Sequence, residues 1–172
     1  FYRNEGDGTF VEIGKQAGVD DRRWGASAAF GDIDADGFLD LYVANYLELD
    51  LDNPPPPRRG WKGLVVYFGP AGMTALSDIL YRNDADGTFT DMSNPTGISR
   101  YASPSMGVVF ADFDIDGDQD FYVAVDGSPN QLFRNDGNWN LTEVGAKTEV
   151  AYNEGGRAQA GMGVDAGDYD ND

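Results

Sequence analysis

The sequence predicts an all-β protein assembled from repeated four-stranded antiparallel sheets, and three observations lead there. An Asp-x-Asp-x-Asp-Gly-x-x-Asp loop occurs at residues 32–40, recurs at 112–120 and begins again at Asp168. A hairpin signature, an apolar-Arg-Asn strand followed by an Asn/Asp/Gly turn, occurs near Tyr2, Tyr81 and Phe133. Both series give the same repeat, about 55 residues with one long insertion in the first interval, and a period near 50 marks a propeller or solenoid.

The elements follow from these registers. Phe1-Tyr2-Arg3-Asn4-Glu5-Gly6-Asp7-Gly8-Thr9-Phe10 reads as one hairpin. Leu80-Tyr81-Arg82-Asn83-Asp84-Ala85-Asp86-Gly87-Thr88-Phe89 repeats it, and Leu132-Phe133-Arg134-Asn135-Asp136-Gly137-Asn138-Trp139 is a looser copy. Each joins an apolar strand to a turn, then to an aromatic opening the next strand. Four strands are expected in a unit: 26–32, 39–45, 79–83 and 88–92, then 106–112, 119–125, 131–135 and 139–144. Gly and Ala crowd the first strand (Gly25, Ala26, Ala28, Ala29; Gly161, Gly163), which fits an innermost strand facing a narrow channel. The piece Asp84-Ala85-Asp86-Gly87 is read as turn chemistry, because no carboxylate follows where the loop would close.

The repeated Asp loop suits a hard cation. Alternating carboxylates in a tight turn aim oxygens at one centre, and glycine at position 6 accepts the backbone twist. Oxygen-only ligands in flexible geometry favour calcium over magnesium. The expected ligands are Asp32, Asp34, Asp36, the Phe38 carbonyl and a bidentate Asp40. The second set is Asp112, Asp114, Asp116, Asp118 and Asp120, and the third loop offers Asp168, Asp170 and Asp172. An EF-hand needs Glu at position 12, where Val43 and Val123 stand instead, each inside a strand-like run. The loops therefore join β-strands. The cation is expected to be structural, since it offsets carboxylate repulsion and rigidifies a turn, whereas catalysis would need an open position and a nearby acid or base.

Composition narrows the function. The net charge is −18, from 30 acidic and 12 basic residues, which argues against nucleic acid or an anionic membrane as partner. Without Cys or His, disulfides, thiolate or imidazole zinc sites and His-based catalysis are excluded. No long apolar run marks a membrane span, and no signal peptide is visible. Nucleophile-elbow, Walker and dinucleotide fingerprints are missing, so no catalytic residue is assigned and a non-enzymatic protein is expected. Asn140-Leu141-Thr142 is a glycosylation sequon of little weight here.

Phe30-Gly31-Asp32-Ile33-Asp34 and Phe110-Ala111-Asp112-Phe113-Asp114, each followed by Asp-Gly-x-x-Asp and an apolar strand, resemble FG-GAP/VCBS repeats of integrin-alpha-type β-propellers. Tyr67-Phe68-Gly69-Pro70 and Ala151-Tyr152-Asn153-Glu154-Gly155-Gly156-Arg157 add a resemblance to the bacterial cartilage-acidic-protein-like group associated with ASPIC/UnbV segments. The second copy departs in having Ala111 for the Gly, and the third lacks its Gly and closing Asp. Such propellers usually have seven blades, so the resemblance implies a partial propeller whose remaining blades lie elsewhere. The expected organisation is the outer half of a blade (1–23), a blade (24–92) with an insertion at 47–78, and a linker (93–103). A second blade (104–144), a linker (145–160) and the first strand of a further blade (161–172) complete it.

The resemblance also implies a secreted or cell-surface location and an adhesion-type role toward a protein or glycan. The alternative is a non-catalytic part of a calcium-dependent carbohydrate-active enzyme such as a polysaccharide lyase. The insertion follows the second strand, on the face opposite the Asp loops. It carries Pro54-Pro55-Pro56-Pro57, read as polyproline II, then Arg58, Arg59, Trp61 and Lys62, the one basic-aromatic cluster. These four are the candidate partner residues, with Trp61 as anchor; the competing reading packs Trp61, Tyr67 and Phe68 against the blade edge.

Overall fold

A computed structural model describes residues 1–54, 58–59, 61–66 and 69–169, with Arg58, Arg59, Trp61 and Val66 described by their backbone alone. The fold is all-β. Strands β1 (Tyr2–Asn4) and β2 (Phe10–Glu12) form an antiparallel pair, followed by the four-residue helix α1 (Gly14–Ala17). Strands β3 (Gly25–Gly31), β4 (Asp40–Asn45), β7 (Ile79–Asn83) and β8 (Phe89–Asp91) form one antiparallel sheet in that order. Strands β9 (Ser105–Ala111), β10 (Asp120–Val125), β11 (Gln131–Asn135) and β12 (Leu141–Glu143) form a second sheet of the same topology. Two meandering four-stranded sheets packed against each other make this a partial β-propeller.

The core is the seam between the blades. Strand alternation sends Tyr42 and Ala44 of β4 and Leu80 of β7 to one face, where they meet Val108, Phe121, Val123, Val125 and Phe133 of the second blade. Ile33, just past β3, joins them, and so does Ile98 from a 3-10 turn at Ile98–Arg100. The alternate residues Leu41, Ile79 and Tyr81 face the other way and pack with Val19, Val43 and Phe89. Phe121 stacks on Phe133 at 4.9 Å and meets Tyr42 at the same centroid distance. Gly31 lies flush against the second blade: a Cβ there would stand 2.5 Å from the Phe110 ring.

At the end of the seam away from the Asp loops, Asp78 is buried and joins the two blades. It accepts hydrogen bonds from the Tyr42 hydroxyl (2.8 Å), the Asn45 N–H (2.7 Å) and the Ser105 hydroxyl (2.7 Å). Burial pushes its carboxyl up to about 6, against the opposing pull of these donors.

The insertion has strands of its own, which the sequence patterns did not indicate. Strand β5 (Arg58–Arg59) pairs with β6 (Val65–Val66) across a short 3-10 turn at Trp61–Gly63, and a bridge joins Leu47 to Ala75. Of the polyproline stretch, residues 55–57 lie outside the described residues. In place of the strand expected over 161–172, residues 161–169 carry no ladder. A bridge from Asp126 to Ala160 and the Gly161 N–H bond to the Val125 carbonyl (3.0 Å) lay this stretch beside the second blade.

Candidate metal centre

The two Asp loops, each between the first and second strand of a blade, share one hydrogen-bonded frame. Asp32 accepts the N–H groups of Asp36 and Gly37, at 3.1 and 3.0 Å. Asp112 does the same for Asp116 and Gly117, at 3.2 and 3.0 Å. Asp36 caps Phe38 and Asp116 caps Asp118. Left-handed backbone at Ala35 and Ile115 (φ 56° and 62°), then at Gly37 and Gly117 (91° and 99°), turns the chain back on itself. The first aspartate thus serves as an N-cap-like acceptor that fixes the loop before any ligand arrives.

The closing aspartate ties the loop to its sheet. One Asp40 oxygen accepts the Ile33 N–H (2.9 Å), the other the Asn83 N–H at the end of β7 (2.9 Å). Asp120 repeats this with Phe113 (2.9 Å) and Asn135 (2.8 Å). These bonds hold both oxygens in place while leaving each a further lone pair. Burial pushes the Asp40 carboxyl up to about 6, and the neighbouring charges of Asp34 and Asp36 act in the same direction. Asp120 is likewise raised, chiefly by burial.

Convergence is selective. Asp32, Asp34 and Asp40 offer oxygens within 4.8 Å of one another in the first loop, and Asp112, Asp114 and Asp116 do so in the second. Asp36 is outside the first group and Asp118 and Asp120 outside the second. Phe38 is exposed. In the third loop Asp168 is exposed, while Asp170 and Asp172 lie outside the described residues. Asp84 and Asp86 are engaged by their turn, Asp84 with Arg82 (2.7 Å) and Thr90 (2.7 Å), Asp86 with Thr88 (2.6 Å).

Sequence spacing missed the second blade's part in the first loop. Gln119 Oε1 accepts the Asp32 N–H (2.8 Å), and Asn135 Nδ2 donates to the Ile33 carbonyl (2.8 Å). Trp139 Nε1 donates to Asp34 Oδ2 (3.1 Å). The other Asp34 oxygen, Oδ1, is buried with no hydrogen-bond partner. Trp139 itself corrects the sequence reading: it lies in the turn, not at the head of a strand. Leu141 opens β12 and pairs with Asn135, as Phe89 pairs with Asn83 and Phe10 with Asn4. Equal turn lengths force that register.

The candidate partner residues are placed less fully. Arg58 and Arg59 lie on β5 and Trp61 opens the 3-10 turn, but their side chains, and hence the burial of Trp61, lie outside the described residues. Lys62 has left-handed backbone, φ 52°. On the same end of the molecule, Arg100, Tyr101, Asn130, Gln131 and Tyr152 line a groove of about 450 Å³.

Comparison with known families agrees with the fold. The FG-GAP-like repeat matches residues 1–43, 65–123 and 112–172, and the chain belongs to this family. The first two matched segments each contain a blade's last hairpin and the next Asp loop, and the third opens on the second Asp loop, so the matched repeats cross blade boundaries. No curated protein matches the chain. No helix among the described residues is long and apolar enough to cross a membrane.

Proposed function

We propose that this chain is a calcium-binding, extracellular propeller module that engages a protein or glycan partner, with the cation structural. The observation that carries the cation is Asp34 Oδ1, a buried carboxylate oxygen without a hydrogen bond, on a residue that converges with Asp32 and Asp40. Such an atom is costly unless something positive meets it. The donors are all hard oxygens, the loops are flexible turns, and both features favour calcium. Asp32, Asp34 and Asp40 would hold it in the first loop, and Asp112, Asp114 and Asp116 in the second. Calorimetric titration with calcium and magnesium tests this; two calcium sites are expected, and no heat with either ion would refute it.

The partner surface is assigned to the end opposite the metal loops, where loops on a rigid scaffold are free to vary. The insertion exposes Leu51, Leu64 and Val65 there. In the neighbouring groove Arg100 makes no ion pair among the described residues, and the buried Gln131 Oε1 has no partner. Two tyrosines beside planar polar groups suit a sugar or an extended peptide. A glycan array and pull-down with wild type, Arg100→Ala and Tyr152→Ala tests it; binding untouched by both variants would move recognition elsewhere. The role is binding rather than catalysis, and turnover of acidic polysaccharide would overturn that. Kinship with the cartilage-acidic-protein-like group belongs to the same proposal and is supported by the 151–157 motif, where Asn153 caps Gly155 and Arg157.

A further inference from the structure

The three hairpins share a turn of five residues, and in two of them one position is glycine. Gly8 and Gly87 adopt φ of 93° and 91°. The corresponding residue of the third hairpin, counted from the Asn135–Leu141 pair, is Trp139, at φ 62°. The residue before it, Asn138, is also left-handed at 52°. A bulky side chain in this region is strained and persists where surrounding contacts over-determine it. The turns open alike, with Asn4, Asn83 and Asn135 each capping the residue two places on, but where Thr9 and Thr88 donate their N–H groups to Asp7 and Asp86, the Asn140 N–H donates to the Gly137 carbonyl (3.0 Å).

That bond closes a tight turn with Asn138 and Trp139 at its centre, and the turn sets Trp139 against the other blade's Asp loop. Its ring packs on the seam core and is half-buried, and its indole N–H reaches Asp34 Oδ2. That bond engages Oδ2 and leaves Oδ1 unpartnered, in a carboxylate that groups with those of Asp32 and Asp40. A neutral N–H donor on one oxygen orients a ligand without neutralising it, as outer partners of metal ligands do. Gln119 and Asn135 grip the backbone just before Asp34, at Asp32 and Ile33. All three contacts come from the second blade.

The geometry points to a composite site: Trp139 is a positioning residue for the first cation loop, and loading that loop is coupled to seating of the second blade. This rests on the cation reading above. The second loop has the same internal frame, yet Asp114 is exposed. The first loop therefore binds calcium more tightly than the second.

The test compares calcium binding by wild type and Trp139→Phe, in the chain as it stands and with the second loop silenced by Asp114→Ser. Trp139→Phe keeps an aromatic ring at the seam and removes the N–H donor. The expected result is a loss of about 10-fold in affinity at the first loop, the scale of outer-partner changes, with the second loop unchanged. Terbium luminescence excited through tryptophan gives an independent signature in the unmodified chain. Emission should fall more with Asp34→Ser than with Asp114→Ser, because the Trp139 indole bonds to Asp34 of the first loop. Unchanged first-loop affinity in Trp139→Phe, or equal weakening of both loops, overturns the inference. If Trp139→Phe does not fold, terbium emission indifferent to Asp34→Ser overturns it instead. Wild type that takes up neither ion defeats the cation reading itself, and this inference with it.

Discussion

The loop at 32–40 and the loop at 112–120 are the same device in two settings. Their internal hydrogen bonds correspond atom for atom, and their closing aspartates tie the same two points of each sheet. Their surroundings differ. Ile33 is 1% exposed within the seam, whereas its counterpart Phe113 is 42% exposed. Asp34 is half-buried beneath Trp139, while Asp114 faces solvent. Local sequence thus builds the frame, and the neighbouring blade sets the dielectric in which the carboxylates act. A drier setting strengthens both the attraction to a cation and the repulsion without one. The first loop should therefore depend more on its ion.

The broadest way to break the comparison is to remove the ion altogether. Saturation at about 100 times Kd is worth about 2.7 kcal/mol per site, or roughly 5–10 °C in Tm for a chain of this size. A melt in excess chelator should lose that increment, and an unchanged Tm would end the argument for structural calcium.

The far end of the seam offers the next largest effect. Asp78 has a carboxyl raised to about 6 by burial, so the folded state favours its protonated form. Its contribution is fully present below about pH 4 and is lost as pH rises through about 6. Asp78→Asn should remove this part of the pH dependence and raise stability at pH 7 by roughly 1–3 kcal/mol. The amide can still accept from Asn45 while the Tyr42 and Ser105 hydroxyls turn to receive its N–H. Denaturant titrations from pH 4 to 7 on both proteins check it; parallel curves would show that Asp78 does not strain the seam.

Asp34→Ala against Asp114→Ala sharpens the contrast directly. Both remove a cation oxygen, but only Asp34→Ala also strands the half-buried indole N–H of Trp139. In saturating calcium the first should be less stable than the second by about 1 kcal/mol, the price of one unmade bond. Equal melting curves would make the two loops equivalent. The smallest expected effect is Gln119→Ala, which removes the acceptor for the Asp32 N–H. It should cost about 0.5–1 kcal/mol and weaken calcium only at the first loop; a matching loss at the second would point to general loosening of the blade.

Much of this was legible in residue order. The strand runs that became β4, β7, β10 and β11 show in the apolar alternation around Tyr42, Leu80, Val123 and Phe133. The turns show in Asn-x-x-x-Gly and Asp-x-Asp-x-Asp-Gly, because Asx caps act over two to five residues. The same short range explains the misplacement of Trp139. Read as an aromatic at a strand head, it satisfied the local pattern, and only the strand register put it in the turn. A closer sequence signal existed, since Gly8 and Gly87 occupy its place in the sister hairpins.

The amino-acid sequence by itself determined the repeated four-stranded unit, the two Asp loops and the hairpins. The turns of the loops and hairpins are closed by bonds between residues close in the chain, and the strand faces follow from side-chain alternation along one strand. Tertiary structure alone decided that Asp34 meets Trp139, that Asp32 meets Gln119 and that Asp78 joins Tyr42 to Ser105. It decided too that Asp40, expected to clamp a cation with both oxygens, has each of them already holding a backbone N–H. Those partners are brought together by packing two sheets face to face. No local spacing encodes which polar group then lands against which, so identical loops acquire different surroundings from the blade beside them.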